Sequence, residues 1–212
     1  TYTAQPPKGM VCEPNVNIVL ATMKSGQLYS YYYGGSEKAA AVKELVESWG
    51  SICDNLMIWD YVVDFAHLSM PYPNFDVQAD NHKLYQENHV RAIFHQGSRT
   101  RNDEMARVRT YLLSKLMWDT QTDVSATLAK YVLVTYGEAA PYVAEYLDTM
   151  NRALKENAKD LDLYDYPNDH FNDYLSVSNI DTYRQLIDSA MAATDDSRIL
   201  GYLEEIKING LY

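Results

Sequence analysis

The chain has 212 residues, enough for one large domain or one domain with an appendage. Hydrophobic residues make up 47% and charged residues 22%, a balance that supports a packed core and excludes extended disorder. The formal net charge of −11 argues against binding a phosphate backbone or an anionic membrane surface, so no nucleic-acid partner is expected. No apolar run reaches the roughly 18 residues of a bilayer span.

In chain order, residues 2–5 read as a possible first strand before Pro6 and Pro7. Because the chain starts at Thr1, inside that strand, it reads as a processed chain or a piece of a longer one. Residues 15–22 (NVNIVLAT) are rich in β-branched side chains and predict a buried strand. Residues 36–53 predict a helix, with Val42, Leu45, Val46, Trp49 and Ile52 at helical spacing and Ser36 as N-cap. A second strand is expected over 56–65 (LMIWDYVVDF), a short helix over 80–88, a third strand over 90–95 and a helix over 103–118. After Trp118 the strand pattern stops. Asp123 caps a helix that Gly137 ends, Pro141 opens a helix to about 157, and 160–173 is acidic, aromatic and irregular. Two further helices are expected over 180–193 and 197–208.

Apolar strands flanked by amphipathic helices imply a parallel sheet covered on both faces. Units of about 30–40 residues suit a (β/α)8 barrel and equally a doubly wound sheet. Eight strands close such a barrel, so the reading is α/β, the C-terminal part of a TIM-type barrel over 1–119 with a helical extension over 120–212. Its missing strands would lie upstream in the same protein, or the sheet is small and open.

In either fold, sites gather at the C-terminal ends of the strands. The first end carries Tyr29, Tyr31, Tyr32, Tyr33, Gly34 and Gly35, an aromatic platform for a sugar ring or rings packed under a loop. The second carries Trp59, Asp60 and Tyr61, then Asp64, His67, Tyr72 and Asn74. Asp60 inside an apolar run must be hydrogen-bonded or shifted in pKa. Beside Trp59 it offers a stacking face with a hydroxyl acceptor, or it is satisfied by strand-end N–H groups. The third carries His95, Gln96 and Gly97, with His95 as acid, base or donor and Gln96 as a hydroxyl ligand, or both as a polar cap. The 19 tyrosines suit sugar binding and a half-exposed bundle alike. Cys12 and Cys53 and the five histidines fit no metal spacing, and no nucleotide, zinc or nucleophile-elbow motif occurs; neither metal nor cofactor is expected. The two cysteines are free or form a single bridge.

The runs 58–61 (IWDY), 65–67 (FAH), 70–74 (MPYPN), 94–97 (FHQG), 109–119 (RTYLLSKLMWD) and 136–142 (YGEAAPY) carry a resemblance over most of the chain. The sequence resembles a bacterial domain-of-unknown-function family of carbohydrate-active proteins, related to α-glucuronidase-like barrels and including endo-β-N-acetylglucosaminidases. The resemblance implies a glycoside hydrolase-like domain acting on glycans with N-acetylhexosamine or uronic acid, in a secreted, periplasmic or surface setting. Asp60 and His95 would be catalytic, and Trp59, Tyr61, His67, Tyr72, Asn74 and Gln96 would line or support the sugar cleft. His95 departs from the family's Phe-Glu-Gln-Gly pattern, and a histidine does not simply replace a carboxylate beside an oxocarbenium-like transition state. The leaving-group acid is then expected on upstream strands, and this chain alone is expected to be inactive. The other readings are a non-catalytic glycan-binding protein and a helical interaction module using the acidic tail after Asp160.

Overall fold

A computed structural model describes residues 4–98 and 105–209. Three parallel strands, β1 (Ile18–Ala21), β2 (Leu56–Tyr61) and β3 (Val90–Gln96), form a sheet in that order. The helices α1 (Glu37–Gly50) and α2 (Gln78–Glu87) make the crossovers. Then follow α3 (Ala106–Trp118), α4 (Val124–Tyr136), α5 (Ala140–Asn157), α6 (Val177–Ala192) and α7 (Ser197–Asn209). The class is α/β, with a small parallel sheet and a large helical part. Of the expected strand over 2–5, Tyr2 and Thr3 lie outside the described residues, and Ala4 and Gln5 form a bend. Asp103, the expected start of the third helix, also lies outside them.

The helix ends follow from local chemistry. Ser36 accepts a hydrogen bond from Ala39 N at 3.2 Å, and Asp123 accepts one from Ala126 N at 2.9 Å, each satisfying an orphan donor of the first turn. Gly137 takes a φ of +52°, stops α4 and leads through one 3-10 turn into α5, whose first turn holds Pro141.

β2 is shorter than its apolar run. Val62 N still donates to Gln96 O at 3.2 Å, but Val62 and Val63 leave the sheet and pack against Leu113 of α3. Their apolarity reflects burial under a helix rather than strand pairing. β1 likewise begins only at Ile18, because Val16 N turns back to Glu13 O and Pro14 O is held by the Asn55 side chain.

The two faces of the sheet differ. Leu20 and Ile58 point into a core made with Ala39, Val42, Val46 and Trp49 of α1 and Leu84 and Tyr85 of α2. On the opposite face Val19 (44%), Trp59 (40%) and Phe94 (44%) are exposed, with Trp59 and Phe94 in register. The larger core begins at Tyr61, Met70, Tyr72 and Phe75, runs through α3 and continues through α4–α7. Residues 160–165 cross back to the strand ends: Gln27 N donates to Leu161 O at 2.7 Å and Phe65 N to Leu163 O at 2.8 Å, while Leu161 and Leu163 are fully buried. Gly26 is bridged to Asp162 there, where any side chain on it would overlap Asp160.

Candidate functional site

The strand ends carry a cleft of about 650 Å³, lined by Trp59, Phe65, Leu68, Phe94, His95, Gln96, Gly97 and Ser98. The Trp59 and Phe94 rings meet edge to face with centroids 5.0 Å apart. Trp59 Nε1 donates to Gln96 Oε1 at 2.7 Å, which fixes the amide so that its NH2 group is what Gln96 can offer to a ligand. Phe65 packs against Tyr61 (5.5 Å) and Tyr164 (6.3 Å) and forms the far wall. An aromatic wall with fixed amide donors suits a ligand that presents both a flat apolar face and hydroxyl groups.

Beneath the cleft lies a buried polar chain. Strand alternation turns Asp60 to the same side as Ile58, toward the helices, and leaves it with no exposed surface. Its Oδ1 accepts from Thr22 Oγ1 at 2.6 Å and Tyr61 N at 3.0 Å. Its Oδ2 faces His95 Nδ1 at 3.4 Å, within ion-pair range but too long for a well-formed hydrogen bond. His95 Nε2 lies 3.1 Å from His82 Nε2, and His82 Nδ1 lies 2.7 Å from Gln78 O.

These contacts fix the protons. His82 Nδ1 must donate to the Gln78 carbonyl, so its Nε2 is a bare acceptor and His95 Nε2 is the donor. Burial, with the adjacent His95 charge, pushes His82 down to about 4, consistent with a neutral ring. Burial and the nearby Asp60 carboxylate push the Tyr31 and Tyr85 phenols well up. Both ring nitrogens of His95 are therefore directed inward, on the helix side of the sheet, with its side chain only 6% exposed.

The other candidate residues divide between cleft and support. Trp59 and Gln96 line the cleft. Tyr61 is buried behind Phe65. Tyr72 and Asn74 are buried: Asn74 accepts from Arg109 Nη1 and donates to Gln27 Oε1 at 3.2 Å, and Arg109 Nη2 donates to Tyr72 O at 3.0 Å. His67 is half-buried in the turn after β2, where its N–H donates to Asp64 Oδ1 at 3.0 Å. The tyrosines after β1 do not line the cleft. Tyr31 is fully buried, with its N–H held by Asn81 Oδ1 at 2.8 Å, and the left-handed Gly34 (φ +64°) carries the loop back toward α1.

His82, Thr22, Gln27 and Arg109 escape the sequence reading. One signal was available: Gln78, Asn81, His82 and Tyr85 recur at i, i+3, i+4 and i+7 and are all buried, a polar stripe on the inner face of α2. No group of three or more His, Cys, Asp or Glu side chains among the described residues is arranged to hold a metal ion. Cys12 and Cys53 are free thiols. No helix among the described residues is long and apolar enough to cross a membrane.

Fold and site together define an α/β protein with a short parallel sheet, an aromatic cleft at its strand ends and a helical C-terminal part. The family model described as "Domain of unknown function (DUF4838)" matches residues 1–148, and the chain belongs to that family. No curated protein and no solved structure matches it.

Proposed function

We propose that this chain is the C-terminal sector of a (β/α)8 barrel with its helical extension, and that its cleft is part of a sugar site. The whole protein would be glycoside hydrolase-like and act on complex glycans containing N-acetylhexosamine or uronic acid. The observation that carries this reading is the uncovered sheet face with Trp59, Phe94 and Gln96 at the strand ends. Parallel sheets are stable with both faces covered, and upstream strands of the same protein are the cover that would make this face a barrel interior. The resemblance to carbohydrate-active proteins related to α-glucuronidase-like barrels and endo-β-N-acetylglucosaminidases supports the same substrate class and a secreted, periplasmic or surface setting.

In this reading Trp59 stacks on a sugar ring and Gln96 holds a hydroxyl group. Asp60 and His95 form a buried ionisable pair beneath the cleft, on the helix side of the sheet, with Asp60 orienting His95. The carboxylic acid that protonates the leaving group comes from the upstream strands. A second reading, a glycan-binding protein without catalysis, is favoured by one observation: among the described residues lining the cleft none is a carboxylate, whereas glycoside hydrolysis ordinarily uses two.

The test is product release by the longest form of the protein from a panel of N-glycans and uronic-acid oligosaccharides, read by mass. A released fragment supports the hydrolase, and intact sugar that stays bound supports the binding protein. Trp59→Ala is expected to weaken retention by about tenfold or more, the scale of a lost stacking contact of about 1–2 kcal/mol, while the chain stays folded, since Trp59 is 40% exposed. Neither release nor retention across the panel refutes both readings.

A further inference from the structure

Segment 160–175 is anchored on the body at both ends, by Leu161 and Leu163 and by Tyr174 and Leu175, and between them it turns outward: Tyr164, Tyr166 and Phe171 are exposed. His170 closes this outer loop. Its Nε2 lies 3.0 Å from Asp165 Oδ2, and its Nδ1 lies 3.1 and 3.2 Å from the two Asp173 oxygens. The ring is 5% exposed and packs against Tyr174, with centroids 4.8 Å apart. A neutral imidazole carries one proton, so one of its nitrogens would turn a lone pair toward a carboxylate. Only the imidazolium satisfies both contacts.

We propose that His170 is a proton-operated latch. As an imidazolium it ties Asp165 to Asp173 and closes the loop 164–173 beside the end of β2; losing the proton opens the loop, while Leu161 and Leu163 stay anchored. The latch reaches the cleft, because Tyr164 of the loop packs on Phe65, which lines it. The latch does not depend on what the cleft binds.

The charged surroundings set the direction. Burial pulls the His170 pKa down, but the hydrogen bonds to Asp165 and Asp173 outweigh it and raise it above the ordinary 6.5. Burial pushes Asp165 up, but its bonds from His170 and Asp162 N hold it below 3.8. The latch contribution is therefore complete below the unfolded histidine value, is lost as pH rises through the raised folded one, and is lost at the acid end as Asp165 protonates. Asp64, from the turn after β2, feels both Asp165 and His170, and it becomes anionic through about 7. Once His170 is neutral, its charge no longer offsets the repulsion between Asp64 and Asp165. Lys38 of α1 acts on Asp165 from the other side, and the Tyr183 hydroxyl of α6 faces the Asp173 charge.

Hydrogen exchange read by mass spectrometry on the full chain, from about pH 6 to about pH 9 and corrected for intrinsic rates, tests the latch. Amides of 164–173 are expected to gain about tenfold or more in corrected exchange across the transition while α5 stays constant. Asp173→Asn supplies the decisive comparison. Its Oδ1 still accepts from Tyr174 N, as in the native chain (2.6 Å), and its amide N–H donates to a bare Nδ1. The neutral ring then fits, and the loop is expected to stay protected throughout. A flat wild-type profile overturns the proposal, and so does a transition in Asp173→Asn at the wild-type pH.

Discussion

Asp64 offers a quantitative test of how burial at the strand ends sets proton affinity. It stands just past β2, 1% exposed, and its Oδ1 accepts from Ala66 N at 2.7 Å and His67 N at 3.0 Å. Its Oδ2 has no hydrogen-bond partner among the described residues. Burial raises the carboxyl to about 7 against the ordinary 3.8; the two backbone N–H bonds oppose the rise and the Asp165 charge adds to it. Between those values the folded chain holds a proton that the unfolded chain has released, so stability falls as pH rises. The contribution is complete below the unfolded value and lost through about 7. A gap of about three units corresponds to about 4 kcal/mol in all, of which about 2–3 kcal/mol falls between about pH 5 and about pH 8. Asp64→Asn keeps the Oδ1 acceptor and removes the titration. Urea unfolding of both chains at those two pH values is the assay, and the wild type is expected to lose about 2–3 kcal/mol more than the variant on going to the higher pH. Parallel pH dependences would refute the claim that the Asp64 environment favours its neutral form.

Two further substitutions probe the same region. Thr22→Val keeps the side-chain shape and removes the 2.6 Å donor to the fully buried Asp60; a loss of about 1–3 kcal/mol is expected in denaturant unfolding, and an unchanged midpoint would mean that the bond contributes nothing. Gly26→Ala drives a methyl group into the Asp160 carboxylate, which is held by Lys38 at 2.5 Å and by Leu161 N at 2.9 Å. The expected cost is about 1–3 kcal/mol, read as a lower thermal midpoint, with local exchange rising first in 158–163; a wild-type midpoint would show that segment 160–165 yields freely.

Much of the fold is legible in the sequence because it depends on short-range chemistry. Ser36 and Asp123 are caps by virtue of their own side-chain oxygens, and Gly137 stops a helix because it takes a positive φ. β-branched and aromatic runs mark β1, β2 and β3, and the irregularity of 160–173 follows from its aspartates, tyrosines and Pro167. Cap chemistry and periodicity act over a few residues, so they survive without knowledge of what packs where.

The candidate site is legible only in part. Trp59, Asp60, His95 and Gln96 are recognisable as polar or aromatic breaks at strand ends, but which way each points is not. In β2 both faces are largely apolar, so the two-residue alternation carries no inside-or-outside signal. The helices α1 and α2, packed on the side of Ile58, send Asp60 and His95 down among Thr22 and His82 and leave Trp59 and Gln96 in the cleft. Likewise, nothing local in 160–173 announces that Leu161 docks beside Gln27 and Leu163 beside Phe65, 134 and 98 residues away in sequence. By itself the sequence determined the elements, their caps and the chemical kinds of residue at the strand ends. The tertiary structure alone decided which of those residues face a ligand, which hold one another's protons, and which distant segment seals them, because burial and facing are set by long-range packing that no local pattern encodes.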